Sequence, residues 1–242
     1  MKICIAQIRP FKGNIAANIK AHLGFIELAV FLQADAIFFP ELSLTCYEPA
    51  LAMALAIEQE IPQLHIFQRI SNSSQVTIGL GLPTKTITGV QISMLIFQPG
   101  QPRQTYSKQQ LHTDEYPYFE PGSEQLILQL GNKKIAPAIC YESLQLAHAE
   151  NAVKLGAQIY LASVAKSASG VAKALQHYPQ IAAKYAMPVL MANSIGYCDN
   201  FLSVGNSAIW SKDGVLLAQL EQGIEGILVF DTETEEVGKQ LI

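Results

Sequence analysis

Charge is scarce in this chain. Only 15% of its 242 residues are Asp, Glu, Lys or Arg, and the net charge is −4. That balance excludes a broad electrostatic grip on a polyanion, so nucleic acid is not an expected partner. Long apolar runs are missing too. The longest, Ala50 to Ile57, falls far short of the ~20 residues a membrane-spanning helix needs. The apolar stretch Ile3 to Ile8 is broken by Gln7 and followed at once by Arg9, which does not fit the core of a secretion signal. Cysteine is sparse: Cys4, Cys46, Cys140 and Cys198 are widely scattered and make no disulfide framework of the secreted type. The expectation is a soluble, cytoplasmic protein with no membrane partner.

Several familiar chemistries are absent as well. Gly79-Leu80-Gly81-Leu82-Pro83-Thr84 begins like a dinucleotide loop, but the third glycine is missing and Pro83 interrupts the helix start. There is no Gly-Lys-Ser/Thr phosphate cradle and no Gly-x-Ser-x-Gly elbow. His148-Ala149-Glu150 lacks the Pro-Cys-x-x-Cys of a zinc deaminase. The five histidines are never four apart and never beside a cysteine, so neither a metal site nor a cofactor is expected.

What is present is apolar residue in quantity. Half of the chain is hydrophobic, and at this length folding removes roughly 70% of the unfolded chain's surface from water. One globular domain over residues 1–242 is expected. Strand-like runs at Lys2–Ile8, Ala36–Phe39, Val76–Leu82, Ile92–Phe97 and Gln104–Lys108 alternate with helical stretches over 14–30 and 50–72, the second broken at Pro62. Strands at Leu126–Leu130, Lys134–Ile139, Gln158–Ala162 and Val189–Ala192 are interleaved with helices over 145–155 and 171–186. Three more strands close the chain at Ser207–Trp210, Val215–Leu220 and Gly226–Phe230. Strand–helix–strand units mixed with hairpins predict helices on mixed sheets, an α/β fold whose two halves look loosely alike.

Glu41, Lys108 and Cys140 each stand where a predicted strand ends, the place where side chains leave a packed layer and ligands gather. Taken singly, Glu41 reads as a turn residue, Lys108 as a solvated strand end and Cys140 as core filler. Their neighbourhoods change that reading. Phe39-Pro40-Glu41-Leu42-Ser43-Leu44-Thr45-Cys46-Tyr47 resembles the Phe-Pro-Glu-x-x-Leu-Thr-Gly-Tyr signature of the nitrilase superfamily of carbon–nitrogen hydrolases. Tyr106-Ser107-Lys108-Gln109-Gln110-Leu111 is similar to its Tyr-Arg-Lys-x-His-Leu element, and Ile139-Cys140-Tyr141-Glu142, with Gly156-Ala157 after it, to its nucleophile segment. The resemblance runs from Lys2-Ile3 to Phe201, Gly205-Asn206-Ser207 and Asp213-Gly214.

The resemblance implies a four-layer α-β-β-α sandwich of the carbon–nitrogen hydrolase type, with Glu41, Lys108 and Cys140 as a catalytic triad. It implies Glu115 as a supporting carboxylate and the Tyr141 N–H as an oxyanion donor. Tyr47, Ser163, Lys166 and Asn193 are candidate substrate-pocket residues. The implied reaction is hydrolysis of a small linear amide through a cysteine thioester, by a homodimer. Competing readings are a nitrile hydrolase, an N-acyltransferase, a glutaminase serving a synthetase, and a binding module with a silent pocket. Cys198, in Gly196-Tyr197-Cys198-Asp199, is the rival nucleophile, read as an exposed thiol in a polar loop. The sequence departs from the family pattern at Cys46 (glycine), Ser107 (arginine), Gln110 (histidine) and Leu146-Ala147 (Pro-Glu), and the stretch from Lys108 to Glu115 is short.

Overall fold

The structure is a computed structural model that describes residues 1–58 and 61–242. Its first half runs β1 (Lys2–Gln7), α1 (Ile15–Phe31), β2 (Ala36–Phe38), α2 (Ala52–Leu55), α3 (His65–Ser74), β3 (Thr77–Lys85), β4 (Val90–Phe97) and β5 (Gln104–Ser107). The second half opens with β6 (Leu128–Leu130), β7 (Lys133–Ile139), α4 (Leu146–Lys154), β8 (Ile159–Val164), α5 (Ala168–Tyr185) and β9 (Val189–Asn193). It continues through β10 (Ile195–Cys198), β11 (Phe201–Val204), β12 (Ala208–Trp210), β13 (Leu216–Gln219), β14 (Gly226–Asp231) and β15 (Val237–Leu241). The helical stretch predicted over 50–72 is two short helices; residues 59 and 60 within it lie outside the described residues.

Two large sheets result, ordered β15-β14-β1-β2-β3-β4-β5 and β13-β12-β9-β8-β7-β6. In the first, β1, β2 and β3 are parallel neighbours, and β4 and β5 follow antiparallel. The second repeats that plan with β7, β8 and β9 parallel and β12 and β13 antiparallel. The likeness of the two halves is therefore a likeness of topology.

Alternation along the strands makes the layers. Ile3 and Ile5 of β1 face an inter-sheet core shared with Ile135, Ile139, Leu161 and Leu190 of the other sheet. The intervening Cys4 and Ala6 pack under α1 and α3 against Phe25, Ile26 and Phe67. In β7 the odd residues Ile135 and Ile139 join the inter-sheet core, while Ala136 and Ala138 lie under α4 and α5 against Ala149, Ala174 and Tyr178. Three interlayer cores separate four layers, α-β-β-α. Each large side chain buried here contributes about 1.5–3 kcal/mol by removal from water.

The helices begin where local chemistry starts them. The Asn14 side chain accepts from the Ala17 N–H at 3.0 Å, as expected of a cap. Ser167 caps α5, which starts three residues before the predicted 171. Two elements escape the sequence reading. The hairpin β10–β11 turns at Asp199-Asn200 within a segment that also holds Gly196, and β15 is a mostly exposed edge strand. No helix among the described residues is long and apolar enough to cross a membrane.

Candidate active site

Glu41 reaches the site through a loop laid along β3. The Phe39 N–H donates to the Gly79 carbonyl at 2.9 Å and the Leu44 N–H to the Gly81 carbonyl at 2.9 Å. A Cβ on Gly81 would strike the Leu42 nitrogen and the Pro40 carbonyl, and one on Gly79 the Phe38 ring. Of the two glycines that mimic a dinucleotide loop, one therefore serves close backbone approach and the other makes room for a core side chain. α1 holds the same loop from outside: His22, fully buried, contacts the Ser43 hydroxyl at 2.9 Å and the Asn18 carbonyl at 2.6 Å.

Lys108 follows β5 and is completely buried. Its Nζ donates to Glu41 Oε1 at 2.8 Å and to Glu115 Oε1 at 2.7 Å. Glu115 also accepts from the Tyr47 hydroxyl at 3.1 Å and from the His112 N–H at 2.7 Å. Burial alone would lower the Lys108 pKa, but the carboxylates of Glu41 and Glu115 outweigh it and the ammonium is held well above its ordinary value. Glu41 moves upward, chiefly because burial penalises its charge, with Lys108 opposing and Glu115 adding to the rise. Its second oxygen, Oε2, is buried with no hydrogen-bond partner.

Cys140 follows β7 at φ +48°, in the left-handed region that non-glycine residues rarely occupy. Its N–H donates to the Ser163 carbonyl at 3.0 Å, which fixes the elbow. The sulfur lies 3.7 Å from the Ala165 carbonyl and 3.8 Å from Lys166 Nζ. Burial pushes the thiol up to about 11 and Glu41 adds to that rise, while Lys166 and Lys108 pull it back. The resting sulfur is thus a neutral thiol at neutral pH. The Tyr141 N–H, next along the turn, has no acceptor among the described residues.

Cys140 and Glu115 open into a cavity of about 450 Å³ lined also by Tyr47, His112, Lys166 and Phe201, among others, with Glu41 and Lys108 buried outside its lining. The rings of Tyr47 and Phe201 meet at 5.7 Å on one wall, and those of His112 and Tyr141 at 5.2 Å on another. Ser163 and Asn193, predicted as pocket residues, stand behind the wall. The Ser163 hydroxyl donates to the Phe39 carbonyl at 2.8 Å, tying the two sheets together at the site. Asn193 brackets Lys166: its Oδ1 accepts from the Lys166 N–H at 2.8 Å and its Nδ2 donates to the Lys166 carbonyl at 3.2 Å. Cys198 is no exposed thiol. It ends β10, is buried, and lies beside Cys46. A loop composition misled there, because the hairpin packs its second face against the Glu41 loop.

Glu142 went without a role in the sequence reading. Its Oε1 accepts from the Ile139 N–H at 2.7 Å and the Tyr106 hydroxyl at 2.6 Å, and its Oε2 from the Gln109 N–H at 2.7 Å. One buried carboxylate therefore joins the end of β7 to the residue after Lys108. Its place two after Cys140 was the available signal. Burial pushes it up to about 7 against these donors. Phe201, His112 and Lys173 of the cavity wall had no comparable signal.

An α-β-β-α sandwich with a cysteine, a lysine and two glutamates gathered at its strand ends defines a class of protein. The family model described as carbon-nitrogen hydrolase matches residues 2–240, and the chain belongs to that family. The chain is 24% identical over 246 residues to a glutamine-dependent NAD(+) synthetase of Thermotoga maritima, covering 98% of this chain and 42% of that protein. A second synthetase of that name, from Acinetobacter baylyi, is 25% identical over 243 residues, covering 97% of this chain and 44% of that one. The chain thus spans less than half the length of these curated relatives. Among solved structures, the NitN amidase of Nesterenkonia sp. AN1 superposes with a TM-score of 0.86 at 20% identity, covering 97% of this chain and 94% of that one. A cysteine-to-alanine variant of the Nesterenkonia amidase, in complex with butyramide, also superposes at 0.86 with 20% identity and covers 97% and 92%. These likenesses show the fold.

Proposed function

We propose that this protein hydrolyses the carboxamide of a small linear substrate through a thioester on Cys140, releasing ammonia or an amine. The observation that carries the reading is the Lys108 ammonium, buried between Glu41 and Glu115, with Glu115 in the wall of a cavity that Cys140 also lines from a strained elbow. Family membership supports it, and so does butyramide in a structural neighbour.

An amide resists attack because nitrogen donates into the carbonyl and leaves poorly unless protonated. With its pKa raised to about 11, Cys140 has little thiolate at neutral pH, so a base must take its proton as it attacks. Glu41 is suited to be that base, because burial disfavours its charge and its Oε2 has an open acceptor position. The sulfur adds to the carbonyl carbon, and the carbonyl electron pair moves to oxygen. Lys108 and the Tyr141 N–H stabilise that oxyanion, a donor of this kind being worth about 3 kcal/mol. Glu41 then protonates the nitrogen, the C–N bond breaks and the thioester remains. In the second half Glu41 takes a proton from water, which attacks the thioester carbonyl. The acid departs and Cys140 recovers its proton. Glu115 holds Lys108 in line between the two steps.

Within this reading the amide of glutamine is a candidate, because the curated relatives are named as glutamine-dependent. That version makes the chain a source of ammonia for a partner. The test is ammonia release from a panel of primary amides, glutamine included, by the wild type and by Cys140→Ala. Turnover by the wild type with at least a 10³-fold loss in the variant supports the reading. Equal rates would sink it.

A further inference from the structure

Cys46 and Cys198 are 152 positions apart in the chain, yet their sulfurs lie 3.8 Å from each other. Both are buried, and neither takes part in the chemistry above. Cys46 sits at φ +64° in the loop that carries Glu41, a backbone state in which a cysteine is strained and where the family resemblance calls for glycine. Cys198 ends β10 and pairs in register with Phe201. The same two segments are also joined where the Asp199 N–H donates to Glu48 Oε1 at 3.2 Å. The Cys46 thiol donates to Cys198, which raises its own pKa and lowers that of its neighbour. The two sulfurs are thus unequal, with Cys198 the readier nucleophile.

We propose that Cys46 and Cys198 form a reversible disulfide that staples the Glu41 loop to the β10–β11 hairpin. The oxidant is a peroxide: the Cys198 thiolate attacks one peroxide oxygen and becomes the sulfenic acid as water leaves. Cys46 then attacks that sulfur and a second water departs. Two thiols and one peroxide thus give one disulfide and two waters. The two sulfurs are buried behind Tyr47, which follows Cys46, and Phe201, which partners Cys198; both rings line the cavity, so the proposed route for the peroxide is past them. Closure to a bonded distance of about 2.05 Å draws Cys46 toward the hairpin. Tyr47 moves with it, and its 3.1 Å bond to Glu115 is the first contact in the path. Displacement of about 1 Å in such a network costs up to 10²-fold in rate.

The experiment exposes the full chain carrying Cys140→Ala to hydrogen peroxide, then to dithiothreitol. The expected result is a mass loss of about 2 Da mapped to a Cys46–Cys198 peptide, restored by the thiol, with a melting midpoint raised by roughly several degrees while oxidised. Adding Cys198→Ser, or separately Cys46→Gly, must abolish both changes. Oxygen addition at either thiol without linkage, or linkage to Cys4, overturns the proposal. A second arm rests on the amidase reading: after equal peroxide exposure, wild type should turn over at least about tenfold more slowly than Cys198→Ser, and dithiothreitol should remove the difference. Equal rates with the linkage present would overturn the coupling to the site and leave the amidase reading intact.

Discussion

At the scale of single residues, the site is governed by how two cations and two carboxylates share one sulfur. In the proposed mechanism Glu41 is the base, and its upward shift then sets a pH limb. A carboxyl whose pKa is raised is still protonated at pH values where an ordinary glutamate, at 4.5, has ionised. A protonated Glu41 cannot take the thiol's proton, so kcat/KM falls as pH drops through a value above 4.5. A pH–rate profile checks this, and an acid limb at or below the ordinary value would contradict it. Glu41→Gln removes the base outright and is expected to lower kcat by about 10²–10⁴-fold. Lys166 has another function. Its ammonium sits 3.8 Å from the sulfur, is buried, and lowers the thiol's pKa. Lys166→Met therefore drives the thiol further up, and alkylation of Cys140 at pH 8 slows several-fold while Lys108 stays in place.

At the scale of elements, two buried connections hold the strand ends in register. Glu142 links the β7 end to the stretch after β5, so Glu142→Gln replaces one acceptor oxygen with a donor facing backbone N–H groups. We expect kcat to fall about tenfold with KM nearly unchanged, and Glu142→Asp to recover part of it. His22 pins α1 to the Glu41 loop as a neutral ring, with its pKa lowered to about 4 by burial. Between pH 6.5 and 4 the unfolded chain binds a proton there that the folded one does not. Stability from this group is complete above 6.5 and declines as pH falls through that window, by about 1.4 kcal/mol per unit. Urea unfolding at several pH values should show the wild type losing that increment relative to His22→Gln. Much of this scale was legible. Short apolar runs gave β1 and β2, the flanking Gly131-Asn132 turn gave β7, and the Asn14 cap gave the start of α1. The β10–β11 hairpin was not, because its Gly196 and Asp199 adopt positive φ within a strand pair whose composition reads as loop. Asn193 and Ser163, read as pocket residues, turn their side chains to the Lys166 backbone and the Phe39 carbonyl. Sequence adjacency does not say which way a side chain turns at a strand end.

At the scale of the whole molecule, the fold brings Glu41 and Lys108, 67 positions apart, together from one sheet. Cys140 comes from the other, so the site is a seam between the two repeats. That seam was readable only through a family resemblance. No local pattern says that the ends of β2, β5 and β7 share a cavity, because sheet pairing is a non-local property. It also explains why Ser163 matters. Its hydroxyl crosses from β8 to the Phe39 carbonyl and keeps the halves aligned at the point where chemistry needs them. The decisive measurement is a rapid quench of the wild type with a turned-over carboxamide carrying an isotopic label in its acyl carbon, followed by intact mass and peptide mapping. One transient acyl group is expected on Cys140, formed as fast as ammonia appears and lost at the rate the acid is released. Ammonia release without a labelled cysteine, and with the same rate in Cys140→Ala, would refute the thioester route.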